Sequence, residues 1–550
     1  MSTSAATRAP TSEGRTGAAR TYDDAIDALN SLQSNAATIE ALRKSGGRLL
    51  DFAIPEMVEY LERIGYVTSD LDQLNVIHIT GTKGKGSTSA FVDSLLRQLT
   101  PLDSKPKVGL YTSPHMTSVR ERIRINGQPV SHELFTTYFW QVWDRLEQNP
   151  TRKFDLTPLR PVYFRFLTLL AFHIFLSEGV QPVILEVGIG GKYDSTNIVP
   201  KCIVAGITQL GLDHTAILGN TVEEIAVQKA GIFKPQRPAV CWAQQPGKAL
   251  DEVERVAQQV GVSDLKIVDV HPALATKAAA LGSEDANTVS LGLPGFHQTT
   301  NASVALELVN AYLDSEAGKA MFKETSHRAS TLTPWQHKGL QEARWPGRCQ
   351  TVPTSRPGLA LTWYLDGAHT TDSLSVCLGW FTAIQQRRQT QAKRNKRVFV
   401  FNCTNGRSAH ELLSSVLDAV ENRLGGQPGS SRYSFAKDYF DQVIFTTNIT
   451  FEGGGWSSEL TSKLLDDADL VNLTVQNQLA ETWKQLVPDS STEVRITPSI
   501  QAMHNHVLEL AQAQGVDCLV SGSLHLVGGV MAHLQQSGCL DDSLVSTVSP

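Results

Sequence analysis

Apolar and polar positions along the chain alternate between two periods. Short apolar runs of strand length fall at 76–79, 107–111, 182–188 and 203–210, and again at 359–365, 397–402, 442–446 and 517–521. Between them lie stretches with one apolar helical face. Ala25, Ile26, Leu29 and Leu32 share a face in the segment that begins at Tyr22, and Phe91, Leu95 and Leu99 share one in 87–99. Further helices are expected at 54–64, 164–176, 221–230 and 302–313. Strands that alternate with helices predict an α/β architecture with mostly parallel sheets. The rhythm breaks at Ala343-Arg344-Trp345-Pro346-Gly347-Arg348, whose Pro/Gly punctuation reads as an interdomain joint. The expected layout is a tail at 1–20, a first domain at 21–342, a linker at 343–349 and a smaller second domain at 350–550. The two halves read as doubly wound sheets meeting at a cleft. The spans 273–287 and 317–336 carry little pattern and read as loops or insertions, as do the basic stretch 391–397 and 425–431.

Several of these strands end in polar residues, where α/β folds place ligands. The first runs into Gly81-Thr82-Lys83-Gly84-Lys85-Gly86-Ser87 and then a helix. Such an arrangement builds a phosphate cradle, because glycines let backbone N–H groups converge, the helix N-terminus adds partial positive charge and a lysine supplies a point charge. The spacing departs from G-x-x-x-x-G-K-[ST]: Ile79 holds the place of the first glycine, and Gly86 separates Lys85 from Ser87. The second strand leads to Ser113-Pro114-His115. The third carries Glu186 near its end, followed by Gly188-Ile189-Gly190-Gly191, and the fourth leads to Asp213-His214. In the second half, one strand ends at Asp366-Gly367-Ala368-His369 and the last at Gly522-Ser523-Leu524-His525.

Some of these residues carry little meaning alone. Lys229 reads as an ordinary surface lysine, and a lone His214 as a structural histidine whose strand-end position raises the odds of a site role. His297, Gln298 and Asn301 fit a helix cap and a base contact equally well. The segment 118–127, SVRERIRING, reads as a solvated hairpin edge.

Composition narrows the class. The chain has 550 residues, too many for one ordinary core. With 41% hydrophobic and 19% charged residues it has the composition of a globular protein, and a net charge of −6 argues against an electrostatic nucleic-acid binder. Seven scattered cysteines without a C-x-x-C pair fit a reducing compartment, with neither a zinc site nor a disulfide framework. The longest apolar stretch, 166–176, falls short of the ~20 residues needed to cross a bilayer. No secretory apolar region follows Met1, so the N-x-[ST] triplets at Asn301, Asn448 and Asn472 read as accidental. The first 20 residues hold three arginines and one acid and read as a disordered tail; a mitochondrial presequence would need an amphipathic helix that is not evident there.

The motifs together resemble the folylpolyglutamate synthase branch of the Mur ligase superfamily, in its eukaryotic form, from Tyr22 onward. The stretches are TYDDAIDALNSLQSNA, HITGTKGKGSTSAF, YTSPH with RERIRINGQPVS, YFRFLTLLAFHIF, LEVGIGGKYDSTNI, LGLDHTAILG, QKAGIFK, WPGR, LDGAH and SGSLHLVGG. The resemblance implies a P-loop ATPase-like first domain, a Rossmann-like second domain and an active site in the cleft between. It implies addition of L-glutamate to the γ-carboxylate of tetrahydrofolate polyglutamates through an acyl phosphate, with release of ADP and phosphate. ATP would be a substrate, Mg2+ the cofactor, as two ions, and a monovalent cation such as K+ an activator.

Carried over by position, Gly84, Lys85, Gly86 and Ser87 would hold the ATP phosphates, with Lys85 on the β/γ-phosphates. Ser113, Glu186 and His214 would serve magnesium, and Lys229 matches a lysine the family can carry as a carbamate. His297, Gln298 and Asn301 match a motif near adenine, and Arg348 and Asp366 match ATP contacts of the second domain. His369 and Ser523 resemble positions that receive the incoming glutamate. The implied partners are small molecules only, with no nucleic acid and no membrane span, and the implied protein is a cytoplasmic monomer, a mitochondrial form being left open. Two positions depart from bacterial relatives: Thr370 follows His369 where they carry Asn, and Lys83 replaces Asn. The competing readings are a dihydrofolate synthase, a Mur-type peptidoglycan ligase, and an ATP-driven switch or binding module that forms no amide.

Overall fold

The computed structural model describes residues 20–33, 51–155, 157–275, 289–388, 394–403, 408–426, 433–451 and 473–539. Two sheets organise it. The first has eight strands: β1 (Ile77–Thr80), β2 (Gly109–Tyr111), β3 (Ile123–Ile125), β4 (Gln128–Pro129), β5 (Val183–Glu186), β6 (Val204–Ile207), β7 (Ala239–Trp242) and β8 (Leu265–Val268). Their order is β4-β3-β2-β5-β1-β6-β7-β8, with β3 and β4 as an antiparallel hairpin at one edge and the others parallel. The second has six: β9 (Gln350–Pro353), β10 (Leu361–Leu365), β11 (Lys396–Phe401), β12 (Gln442–Thr446), β13 (Glu493–Thr497) and β14 (Val516–Ser521). Its order is β13-β12-β11-β14-β10-β9, and only β9 runs antiparallel.

Alternation along each strand feeds two cores, because successive side chains point to opposite faces. Ile77 and Ile79 of β1 enter the core that the Lys85–Leu96 helix covers, whereas Val183 and Leu185 of β5 enter the opposite one. In the second sheet Val398 and Val400 face one core, and Phe399 and Phe401 the other. The helix Tyr163–Ser177 accounts for the long apolar stretch: ten of its residues are buried. Full burial of each Phe or Leu there contributes about 1.5–3 kcal/mol. Its His173 stays in this core by bonding the Tyr66 hydroxyl at 2.8 Å, and burial lowers its pKa to about 4. No helix among the described residues is long and apolar enough to cross a membrane.

Four expectations change. The span 317–336 is not a loop throughout, for it holds most of the helix Glu316–Met321 and the start of Pro334–Glu342. Ser315 caps the first, and Thr333 with Gln336 forms a capping box on the second, so local capping offsets a weak apolar face. The helix expected from residue 302 starts earlier, at His297. The segment 118–127 passes from a 3-10 turn, Val119–Arg122, into the first strand of the β3–β4 hairpin, and it is not solvated: Arg122 and Arg124 are buried. Arg397, expected in a basic surface loop, is likewise buried in β11, its guanidinium 4.0 Å above the Tyr439 ring. The expected tail at 1–19, most of 273–287, most of 425–431, residues 391–393 and Asn472 lie outside the described residues.

Candidate active site

Backbone bonds hold the glycine-rich turn after β1. The amides of Thr82 and Lys83 donate to the Gln209 carbonyl at 2.9 and 3.0 Å, and Thr208 Oγ1 donates to the Lys83 carbonyl at 2.7 Å. Gly84 heads the following helix at φ +89°, and a Cβ there would lie 2.1 Å from Asn301 Oδ1. Only glycine accepts both that backbone and that approach. Asn301 Nδ2 in turn donates to Gln298 Oε1 at 2.9 Å, and Gln298 Nε2 to Ser87 Oγ at 3.2 Å. Gln298 and Asn301 therefore rest on the glycine-rich loop itself. His297 beside them has a buried Nδ1 without a hydrogen-bond partner. Burial lowers its pKa to about 4, with Asp366 opposing and Arg348 reinforcing the shift.

Two lysines meet behind the turn. Lys85 Nζ and Lys229 Nζ each donate to the Gly81 carbonyl at 2.8 Å. Desolvation, then the Lys85 charge, lowers the Lys229 pKa to about 7, while Asp213 and Asp194 pull the other way. Desolvation also lowers Lys85, against the carboxylates of Glu186, Asp213 and Asp194. Lys229 is thus a buried residue rather than a surface one.

Glu186 ends β5 at 4% exposure, and the Ser113 amide donates to its Oε2 at 3.2 Å. Burial raises its pKa to about 7 in spite of Lys85, the Ser113 amide, Arg348 and Arg122. Gly86, Ser113, Glu186, Trp345, Arg348 and Leu524 line one narrow cleft. It joins the phosphate loop, the linker and the head of the last helix. His214 is not among the residues that line this cleft. It heads the short helix Thr215–Leu218 at φ +50°, with its side chain 46% exposed and Nε2 3.8 Å from Asp213. Among the described residues no group of three or more His, Cys, Asp or Glu side chains gathers as a metal cage.

On the second sheet, parallel pairing of β10 with β14 sets two loops side by side. The Gly522 amide donates to the Ala368 carbonyl at 2.8 Å, so the loops that carry His369 and Ser523 are bonded to each other. His369 Nδ1 donates to the Gly367 carbonyl at 2.8 Å, which leaves Nε2 as the ring acceptor. Ser523 caps the last helix, accepting from the His525 amide at 3.2 Å. Asp366 accepts from the amides of Cys349 at 2.7 Å and Ala368 at 2.9 Å. It ties the linker to the loop of His369 and so fixes Arg348, the residue before Cys349.

Among curated proteins, the folylpolyglutamate synthase of Candida albicans is 41% identical over 528 residues, 94% of this chain and 96% of that protein. The chain belongs to the folylpolyglutamate synthase family. The Saccharomyces cerevisiae folylpolyglutamate synthase is 39% identical over 520 residues, 93% of this chain and 86% of that protein. The fold is shared with solved members of the family. Mycobacterium tuberculosis folylpolyglutamate synthase complexed with ADP superimposes with a TM-score of 0.62 at 22% identity, covering 94% of this chain and 100% of that one. The Thermotoga maritima enzyme gives 0.59 at 23%, covering 88% and 95%. No family model matches the chain.

Several residues of this family member escaped the sequence reading. Glu121 accepts from the amides of Met116, Thr117 and Ser118 at 2.8–2.9 Å and shapes the loop after Ser113. Arg124 lies 5.0 Å from the Trp345 ring centre, and Arg122 Nε donates to His115 Nδ1 at 2.9 Å. Lys83 pairs with Asp372 across the cleft. For the first three the signals were the alternating charge of 118–127, which marks a solvated edge equally well, and the family-like stretch RERIRINGQPVS, which assigns them no role.

Proposed function

We infer that this protein is an ATP-dependent amide ligase, adding L-glutamate to the γ-carboxylate of tetrahydrofolate and its polyglutamates through an acyl phosphate, with ADP and phosphate as products. The observation that carries this reading is 41% identity to a folylpolyglutamate synthase over nearly the whole of both chains. ATP is a substrate. A carboxylate is a poor electrophile at neutral pH, so one oxygen must become a phosphate leaving group before an amine can displace it. Positioning and charge neutralisation then govern the rate.

The geometry supports roles for the chain's own groups. Lys85 and the amides at the head of its helix bind the β- and γ-phosphates, Arg348 binds from the linker, and His297, Gln298 and Asn301 complete the nucleotide side. His369 Nε2 can take a proton from the incoming ammonium, and Ser523 orients that glutamate. Residues 21–342 carry the nucleotide machinery and 350–550 the glutamate side.

Magnesium fits the donor set in part. A buried Glu186 carboxylate next to Ser113 favours a cation, and with one carboxylate in the set most positions are left to phosphate oxygens and water. A bound Mg2+, as one or two ions, supplies neutralisation of the transferring phosphoryl charge. Ser113 and Glu186 would hold it; His214, which does not line their cleft, would have to reach it from the loop after β6. Activation by a monovalent cation such as K+ rests on the family resemblance.

The test is incubation with Mg-ATP, tetrahydrofolate and glutamate, which should give products that gain successive glutamyl units. Acceptance of dihydropteroate alone would make the protein a dihydrofolate synthase. ATP hydrolysis indifferent to folate and glutamate would make it a switch.

A further inference from the structure

Strand β1 carries two polar side chains on one face, His78 and Thr80, two residues apart and both fully buried. Each is directed at the segment that follows Glu186. Thr80 Oγ1 donates to the Gly190 carbonyl at 2.6 Å. His78 reaches the same segment through two intermediates. Its Nε2 lies 2.8 Å from Thr196 Oγ1, and Thr196 Oγ1 donates to Asp194 Oδ1 at 2.6 Å. Asp194 then accepts from the amides of Gly188 at 3.1 Å and Ile189 at 3.2 Å through Oδ2, and from the Thr196 amide at 3.0 Å through Oδ1.

Proton counting fixes the direction of this chain. The Thr196 hydroxyl has one proton, and its partner on one side is a carboxylate, an acceptor. It must therefore accept from His78, so the imidazole carries its proton on Nε2. The other nitrogen, Nδ1, which carries the lone pair in this tautomer, is buried without a hydrogen-bond partner. Burial and the Lys234 charge hold the ring neutral, with a pKa of about 3.

The segment so held spans the gap between two residues of the proposed machinery. It begins at Glu186 and ends where the Lys192 amide donates to the Gln228 carbonyl at 2.8 Å, next to Lys229. A Cβ on Gly191 would lie 2.8 Å from the Lys229 carbonyl. We propose that His78 and Thr196 are positioning residues of the ligase reaction: the relay from His78 Nε2–H through the Thr196 hydroxyl to Asp194 sets the spacing of Glu186 and Lys229 from the phosphate-loop strand. This rests on the activity read above for the same site. The relay touches no substrate. It acts as outer-shell partners do, by restricting the orientations open to the groups that bind.

The experiment combines kinetics with histidine NMR. His78→Leu and Thr196→Val should each lower kcat by about 10-fold to 100-fold, the range for lost outer-shell partners. The KM for tetrahydrofolate should stay within about 2-fold, since the acceptor's own contacts are intact. Thr196→Ser keeps the hydroxyl and should recover most of the rate, and His78→Gln keeps a donor and should recover part. In wild-type protein, 15N-edited spectra should show a neutral Nε2–H histidine that disappears in His78→Gln. A wild-type kcat in Thr196→Val, a Thr196→Ser variant as impaired as Thr196→Val, or His78 protonated on Nδ1 overturns the proposal. Should Thr196→Val fail to fold, the tautomer and the Thr196→Ser rate still decide it. Absence of glutamate addition by the wild type would defeat the ligase reading, and the NMR result would still report on the relay.

Discussion

Lys85 and Lys229 donate to one acceptor, the Gly81 carbonyl, each at 2.8 Å. Two ammonium groups on a shared oxygen repel each other, and burial of the second adds to the cost of its charge. Burial first and the Lys85 charge second lower the Lys229 pKa to about 7. Above that pH its amine is neutral and nucleophilic, as reaction with CO2 requires. In 13C-bicarbonate, NMR should show a carbamate signal that grows as pH rises through 7 and is missing from Lys229→Ala. The same variant should lose on the order of 100-fold in kcat, about 2.7 kcal/mol, with partial recovery on addition of short carboxylates. Full activity without them would exclude the carbamate.

Glu186 presents the opposite case, a carboxyl whose pKa burial raises from 4.5 to about 7. The folded state then holds a proton between these values that the unfolded state has released. Stability from this group is complete below pH 4.5 and is lost as pH rises through 7, by an amount on the order of 3 kcal/mol. Thermal unfolding of the metal-free protein should weaken from pH 5 to 8, and Glu186→Gln should flatten that slope. Mg-ATP should restore wild-type stability at pH 8 and leave Glu186→Gln little changed. Glu186→Ala should remove most of the turnover.

The strand-end motifs were legible because each couples a local signal to a fold position. An apolar run fixes the strand, and the polar residues after it must then lie at the carboxyl edge of the sheet. Glu186, Ser113 and the phosphate loop follow that logic. Strands β7, β8 and β13 were not foreseen, since 239–242 is a run of four residues and 265–268 and 493–497 mix charged residues with apolar ones. Contacts that depend on distant segments were also hidden. Asn301 against Gly84 and Lys83 against Asp372 join residues more than 200 positions apart, and no local pattern records such a meeting.

Lys83 and Asp372 form the only ion pair, among the described residues, between the segment before the linker and the segment after it. The lysine belongs to the phosphate loop and the aspartate to the first turn of the helix Thr371–Arg388. Both ends are well exposed, so the coupling should be small, about 0.2–1 kcal/mol, and screened by salt. A double-mutant cycle on Lys83→Ala and Asp372→Ala, read as kcat/KM for ATP, should return that coupling at low ionic strength and lose it in high salt. A coupling of several kcal/mol would mean the pair governs cleft closure.

Gly84 tests the nucleotide assignment most directly. Its φ of +89° disfavours any side chain, and a Cβ would also sit 2.1 Å from Asn301 Oδ1. These are separable costs. Gly84→Ala should pay both, through strain of about 1–3 kcal/mol and displacement of the Asn301–Gln298–Ser87 chain. Pairing it with Asn301→Ala removes the clash and leaves the strain. Calorimetric titration with ADP should therefore find no measurable binding in Gly84→Ala and weak binding in the double variant, with circular dichroism unchanged in both. Binding of wild-type strength in Gly84→Ala would place the nucleotide elsewhere, because a loop distorted at its central glycine cannot keep its amides converged on a phosphate.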